Sequence, residues 1–434
     1  MNALTHTFTK ERERSLIRTT PNKVHPVWAG EMLDEMTFAR LRQRAVLDGC
    51  KWDPQVGDVS VLAPFPLFMR TGDWQALARW AEQLTVEALA AEQEILGRPA
   101  LLARLGLPRP ILRRLRHARE VPPTPAAGRV MRFDFHYTEE GWRISEVNSD
   151  VPGGFAEAST FTQLMAAHYS GAVSGDPIYE WSRLVAKAAG PQGRVALLSA
   201  HSFMEDQQIM AYLGRKLAAM DMRAYLAHPR QITWRDGCAQ LHSASHDGPV
   251  EAVVRFYPGH WLARWPRLHG WEHYFTGGLT PVANPGVAVI SESKRFPLVW
   301  EELNTPLKIW RKLLPETCVP STVNWARDDA WLVKTAFCDT GETVSIRANL
   351  EAKAWKAVAR SVRWQPQKWV AQRRFRDLPL DTPLGAMKAC IGVYTFDGKA
   401  AGAYARVTHR AHVDFSATDV ALLLTEPETP PYAD

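Results

Sequence analysis

The fold is decided in "RFDFHYTEEGWRISEVNSD", residues Arg132 to Asp150. Apolar and polar residues alternate on both sides of a turn signal, as they do in a half-buried β-hairpin. With Glu139-Glu140-Gly141 as a three-residue loop and Gly141 left-handed, Thr138 lies opposite Trp142. Asp134 then faces Glu146, and Arg132 faces Asn148. Those four side chains share one face, while Phe133, Phe135, Tyr137 and Val147 take the other.

Two carboxylates set directly opposite each other repel, so the arrangement needs a compensating cation. Mg²⁺ takes oxygen ligands, typically one or two carboxylates with phosphate oxygens and water, and an asparagine carbonyl adds a further hard oxygen. A neighbouring arginine would neutralise charge on a phosphoryl group. A surface hairpin with an Arg–Asp pair is the plainer alternative, and a slip of one residue would undo the shared face. That alternative leaves unexplained why the chain continues as "SDVPGGFAEAST", Ser149 to Thr160. A Pro-Gly-Gly loop opening a helix is anion-binding geometry placed next to the carboxylates.

A chain of 434 residues with 46% hydrophobic content can bury a large core spread over two or three domains. Its five cysteines, Cys50, Cys238, Cys318, Cys338 and Cys390, are scattered without a CxxC, which fits a reducing cytoplasmic setting and gives no zinc site. The N-terminus lacks the apolar region of a secretory signal, and no window is apolar for long enough to span a membrane. A net charge of +6 permits anionic small ligands without demanding nucleic acid. The basic run "RPILRRLRHARE", Arg109 to Glu120, reads as the solvated side of a helix whose apolar side holds Ile111, Leu112 and Leu115.

Residues 30–120 read as helical, with Asp73 as an N-cap and Leu77, Trp80, Ala81, Leu84, Ala88, Ala91 and Ile95 at helical spacing. From Val195 the register changes to a strand, a helix and a second strand at "RAYLAHP", with another strand at "EAVVRFYPG", which implies a Rossmann-like α/β layer. No GxGxxG or GxxxxGK[ST] is present, so neither a dinucleotide site nor a P-loop is expected. Beyond Ser291, "WLVKTAFCDTGETVSI" and "KWVAQRRF" read as strands, and "ACIGVYTFDGKAAGAYARVTH" as a hairpin turning at Asp397-Gly398.

R-x-D, eleven residues, then E-x-N and "SDVPGG" followed by Glu157 resembles the circularly permuted ATP-grasp proteins related to glutathionylspermidine synthase, over about Gly30 to Leu424. The resemblance implies an α/β (α+β) fold, a circularly permuted ATP-grasp. Residues 1–125 would be mainly helical, 126–190 metal-binding, 191–290 a Rossmann-like pre-ATP-grasp layer and 291–434 the ATP-binding part. It also implies that Arg132 supports catalysis and that Asp134, Glu146 and Asn148 hold two magnesium ions. ATP would be met by Lys294, Lys334, Thr340, Gly341, Gln372, Arg373, Arg374, Phe375 and Arg406, and substrate by Ser149, Asp150, Gly153 and Gly154. The mobile part would be the Cys338 to Glu342 loop. Lys334 is followed by Thr335 where relatives often have proline. Gly153-Gly154 stands where polyamine-conjugating relatives have small hydroxyl residues, so glutathione does not carry over as substrate. Nor does a Cys/His amidase part.

The expected activity is an ATP- and magnesium-dependent carboxylate–amine (or carboxylate–thiol) ligase working through an acyl phosphate on small amino acids, peptides or polyamines. The alternative is a nucleotide-binding or scaffold protein that has lost catalysis. His242 and His246 read as a solvated loop and His269 and His273 as structural residues, while Trp261, Trp265 and Trp271 read as core packing, with the lining of a ligand cleft as the alternative. Neither nucleic acid nor a membrane is an expected partner.

Overall fold

The computed structural model describes residues 25–56, 59–118, 120–200, 203–264, 270–337, 344–410, 412–414 and 416–426. At its centre two hairpins are zipped together. Gly385–Phe396 and Lys399–Thr408 turn at Asp397-Gly398, both with positive φ, as a two-residue hairpin loop requires. The first of these strands pairs antiparallel with Val130–Thr138, which pairs in turn with Gly141–Asn148. Thr418–Val420 and Leu380–Thr382 complete a six-stranded sheet.

One face of this sheet is apolar because Phe133, Phe135, Val147, Ile391, Val393 and Ala405 alternate inward along their strands. It is covered by the helix Thr71–Leu96, whose Leu77, Ala81, Leu84, Ala88 and Ala91 are fully buried at the spacing read from the sequence. Each such leucine contributes about 2 kcal/mol of burial. The helix begins two residues before Asp73, which lies in its first turn instead of capping it. The N-terminal part is also less helical than expected. Val27–Ala29 and Leu67–Arg70 are strands, and Leu67–Arg70 pairs in parallel with Leu422–Thr425 from the far end of the chain. A partner that distant in sequence leaves no local periodic signal.

The Rossmann-like layer is present as a four-stranded parallel sheet in the order Val282–Ala283, Ala252–Phe256, Arg194–Ser199, Arg223–Ala227, with the helix Met204–Ala218 in its first crossover. An antiparallel meander, Ile232–Arg235, Cys238–Ser243 and His246–Pro249, interrupts it. His242 and His246 therefore lie on strands, not in a loop. His242 Nδ1 meets Asp247 at 2.6 Å and His246 stacks on Tyr225. Ala239 and Leu241 are the buried alternation that marks this strand.

A smaller sheet carries Thr317–Cys318, Trp369–Arg373 and Trp331–Thr335. Its outer helix, Ala352–Trp364, sets Trp355, Val358 and Val362 against Trp325, Trp331 and Trp369. No described helix is long and apolar enough to cross a membrane.

Candidate functional site

Arg132 pairs with Asn148 and Asp134 with Glu146, as the hairpin register requires. The route to that register differs from the expected one. Thr138 lies opposite Gly141, not Trp142, so the loop is Glu139-Glu140 alone, and Gly141 has φ +91. A bulge at Ser145 then restores the frame before Glu146. It also turns the Ser145 carbonyl to Lys334 Nζ at 3.1 Å.

The polar face of the sheet is a network of paired charges. Arg132 holds Asp134 through Nε at 2.8 Å and Nη2 at 3.0 Å, and donates from Nη1 to the Gly153 carbonyl at 2.8 Å. Arg406 reaches the same carboxylate at 3.1 Å, and both guanidinium groups lie against the Tyr404 ring. Burial pushes the Asp134 carboxyl up, but Arg132 and Arg406 outweigh it and hold it below the usual range. Glu146 is treated likewise by Lys294 and Lys334, with Lys294 Nζ at 3.2 Å.

Room for the Arg132–Asp134 pair comes from Gly392 on the neighbouring strand. A Cβ there would sit 2.7 Å from Arg132 Cδ and 3.0 Å from an Asp134 oxygen. Gly392→Ala is therefore expected to displace the pair and lower the proposed activity about tenfold or more, since small misplacements of a reacting geometry are costly. Steady-state turnover beside a thermal melt checks this. An unchanged rate would mean that the pair is not placed by this contact.

A cavity of about 480 Å³ opens on this face. Its wall contains Arg132, Asp134, Glu146, Asn148, Asp150, Gly153, Gly154, Lys334, Gln372, Arg373, Arg374, Phe375 and Arg406, which lie far apart in sequence. Lys294 meets Glu146 and Glu292 instead of forming the wall. Thr340, Gly341 and the Cys338 to Glu342 loop lie outside the described residues, as do Trp265 and His269.

Several expected contacts are already engaged within the protein. The Ser149 hydroxyl donates to the Ala288 carbonyl, and Asp150 is clamped by buried Arg255 and the Gly259 amide. Both hold the loop's shape. The amides of Arg373 and Arg374 donate to the carbonyls of Glu316 and Ala330, and Gln372 donates to Thr317 at 3.0 Å. The Gly153 carbonyl accepts from Arg132 and the Tyr394 hydroxyl. Gly154 is required twice over, by φ +87 and by Tyr394 and Tyr404, which leave no space for a Cβ.

His136 and Glu292 were missed from the sequence. His136 follows Asp134 on the same strand face; its Nδ1 donates to the Asp377 carboxylate at 2.9 Å, and its Nε2 lies 3.1 Å from the Ser145 hydroxyl. Burial lowers its pKa, yet Cys390 and Asp377 raise it to about 10. The R-x-D-x-H alternation could have revealed it. Glu292 accepts the amides of Ser149 and Asp150 at 2.7 and 3.1 Å, contacts that no side-chain pattern announces.

The donor set can be weighed against a metal. Among the described residues no cluster of three or more His, Cys, Asp or Glu could hold one. Two carboxylates and an amide oxygen suit magnesium, which completes its shell with water and phosphate, and do not suit a transition metal. Arg406 Nε is buried without a partner, a donor ready for an anion.

No family model and no curated protein sequence matches the chain. Among solved structures it superposes on a glutathione synthetase-like effector from Globodera pallida in apo form, with TM-score 0.58 over 91% of this chain and 98% of that one, at 13% identity. The fold is glutathione synthetase-like. A weaker likeness, TM-score 0.39 at 14% identity over 74% of this chain and 84% of the other, is to a protein described as a gamma-glutamylcysteine synthetase from Methylobacillus flagellatus.

Proposed function

We propose that the protein is an ATP- and magnesium-dependent ligase of the circularly permuted ATP-grasp type, glutathionylspermidine synthase-like, joining a carboxylate to an amine. The observation that carries this is the meeting of Arg132, Asp134, Glu146 and Asn148 with Lys334 and Arg406 around one cavity. The order of the parts along the chain supports the permuted form, with the carboxylate hairpin well before both lysines.

Asp134, Glu146 and the Asn148 carbonyl would hold magnesium, which neutralises phosphate oxygens when bound. Arg132, Arg406, Lys294 and Lys334 confront Asp134, Glu146 and Glu292, an excess of cation that an anionic ligand can satisfy. A substrate carboxylate attacks the γ-phosphorus of ATP, ADP leaves, and an acyl phosphate results. The amine then adds to the acyl carbon and phosphate departs. The protein's part is positioning and charge. Arg132 is fixed by Asp134, the Gly153 carbonyl and the Tyr404 ring, so its charge needs little reorganisation when the phosphoryl group transfers.

A catalytically silent nucleotide binder is favoured by one feature, the engagement of both Asp134 oxygens by guanidinium groups. The lysines separate nucleotide binding from its absence. Lys334→Ala should weaken ATP binding about tenfold, because it removes a cation from the cavity wall, and Lys294→Ala should weaken it less, because Lys294 acts through Glu146. Calorimetry showing the same ATP affinity in both variants as in the native protein would count against an ATP site here.

A further inference from the structure

The cavity has a second wall that the phosphoryl chemistry does not use. It is built by the Rossmann-like layer. Phe203, at the start of the helix Met204–Ala218, is 48% exposed although it lines the cavity. Its ring lies 5.7 Å from that of Trp261, which lines the cavity rather than packing solely in the core. Beside them is His260, buried to 6% exposure. Its ring stacks on Phe337 at 4.7 Å, just beyond the strand that carries Lys334.

The Nδ1 of His260 is buried without a hydrogen-bond partner among the described residues. A buried polar nitrogen left so is costly, unless a ligand completes it. Burial also lowers its pKa to about 4 against the pull of Asp150, so the ring is neutral at pH 7. A neutral imidazole can accept a hydrogen bond from an ammonium group without charge repulsion. Glu205 and Asp206 line the same cavity, and their carboxyl oxygens can accept further hydrogen bonds from an amine.

We infer that Phe203, Trp261 and His260 form the acceptor subsite, and that the acceptor is an amine carried on an aromatic ring. The ring stacks against Phe203 and Trp261, and the amine donates a hydrogen to His260. A linear polyamine would leave both aromatic rings uncovered. The subsite rests on the ligase reading above, in which an amine must enter from the side facing the phosphoryl groups.

The test is calorimetry on the full chain with 2-phenylethylamine, n-hexylamine and spermidine, alongside magnesium-ADP. Phenylethylamine should bind with a dissociation constant of about a millimolar, as expected for so small a ligand. Hexylamine and spermidine should bind about two- to tenfold more weakly, the loss expected without ring stacking. Phe203→Ala and His260→Leu should each weaken phenylethylamine about tenfold while ADP affinity is unchanged. The acceptor inference is overturned if spermidine binds more tightly than phenylethylamine, or if neither substitution alters its affinity. It is overturned alone if ADP binds and phenylethylamine does not. If magnesium-ADP itself does not bind, the ligase reading falls and the subsite falls with it.

Discussion

Glu146→Ala should abolish turnover, by about a thousandfold or more, and leave the protein folded. Glu146 supplies one of the two opposed carboxylates and faces the cavity. Its removal does not strand Lys294, which keeps Glu292 at 3.3 Å. The variant should therefore melt as a folded protein while ADP release ceases to respond to magnesium. Magnesium titration of ADP release, read beside a circular-dichroism melt, decides the matter. Turnover with normal magnesium dependence would show that the metal assignment is wrong.

Arg132→Ala comes second in expected size. Losing a charge-assisted contact made mainly in the transition state costs on the order of 3 kcal/mol, about a hundredfold in rate. Arg406, which reaches Asp134 at 3.1 Å in the native protein, remains in the variant, so the carboxylate is not left as an orphaned buried charge. Destabilisation should stay below the ~3–5 kcal/mol of a broken buried pair. Arg132→Lys should recover little, because one ammonium cannot make the two bonds to Asp134 and a third to Gly153. Single-turnover ADP formation beside ATP binding distinguishes the outcomes. A collapse of ATP affinity at an unchanged saturated rate makes Arg132 a binding residue. No change in either makes the stretch a plain surface hairpin.

The shared face of Arg132, Asp134, Glu146 and Asn148 was legible because strand alternation has a period of two and the apolar partners are strong. Its justification was only half right. The loop is one residue shorter than assumed, and a bulge at Ser145 compensates within the same hairpin. A bulge has no fixed sequence sign, so the two departures could not be told apart from none. The Asp397-Gly398 turn was legible for a local reason, since both residues adopt positive φ readily. The strand Leu67–Arg70 was not, because its parallel partner is Leu422–Thr425. The same holds for the surroundings of Ser149 and Asp150, which the resemblance assigns to substrate. Tertiary clamps from Ala288, Arg255 and Gly259 occupy them. His260 shows the opposite case. Nothing in "YPGHWL" marks a ligand, and only its burial without a partner draws attention to it.

The central claim is that a substrate carboxylate is phosphorylated by ATP before an amine takes its place. The direct measurement uses pools of amino acids and short peptides labelled with ¹⁸O in their carboxylates, incubated with amines, ATP, magnesium and the protein. Released phosphate is then examined by ³¹P resonance, and the products by mass spectrometry. The account predicts ADP, a new amide, and phosphate carrying one carboxylate-derived ¹⁸O, with none of them formed by Glu146→Ala. ADP accompanied only by unlabelled phosphate and no amide would mean that water, not a carboxylate, attacks the nucleotide, and would contradict it.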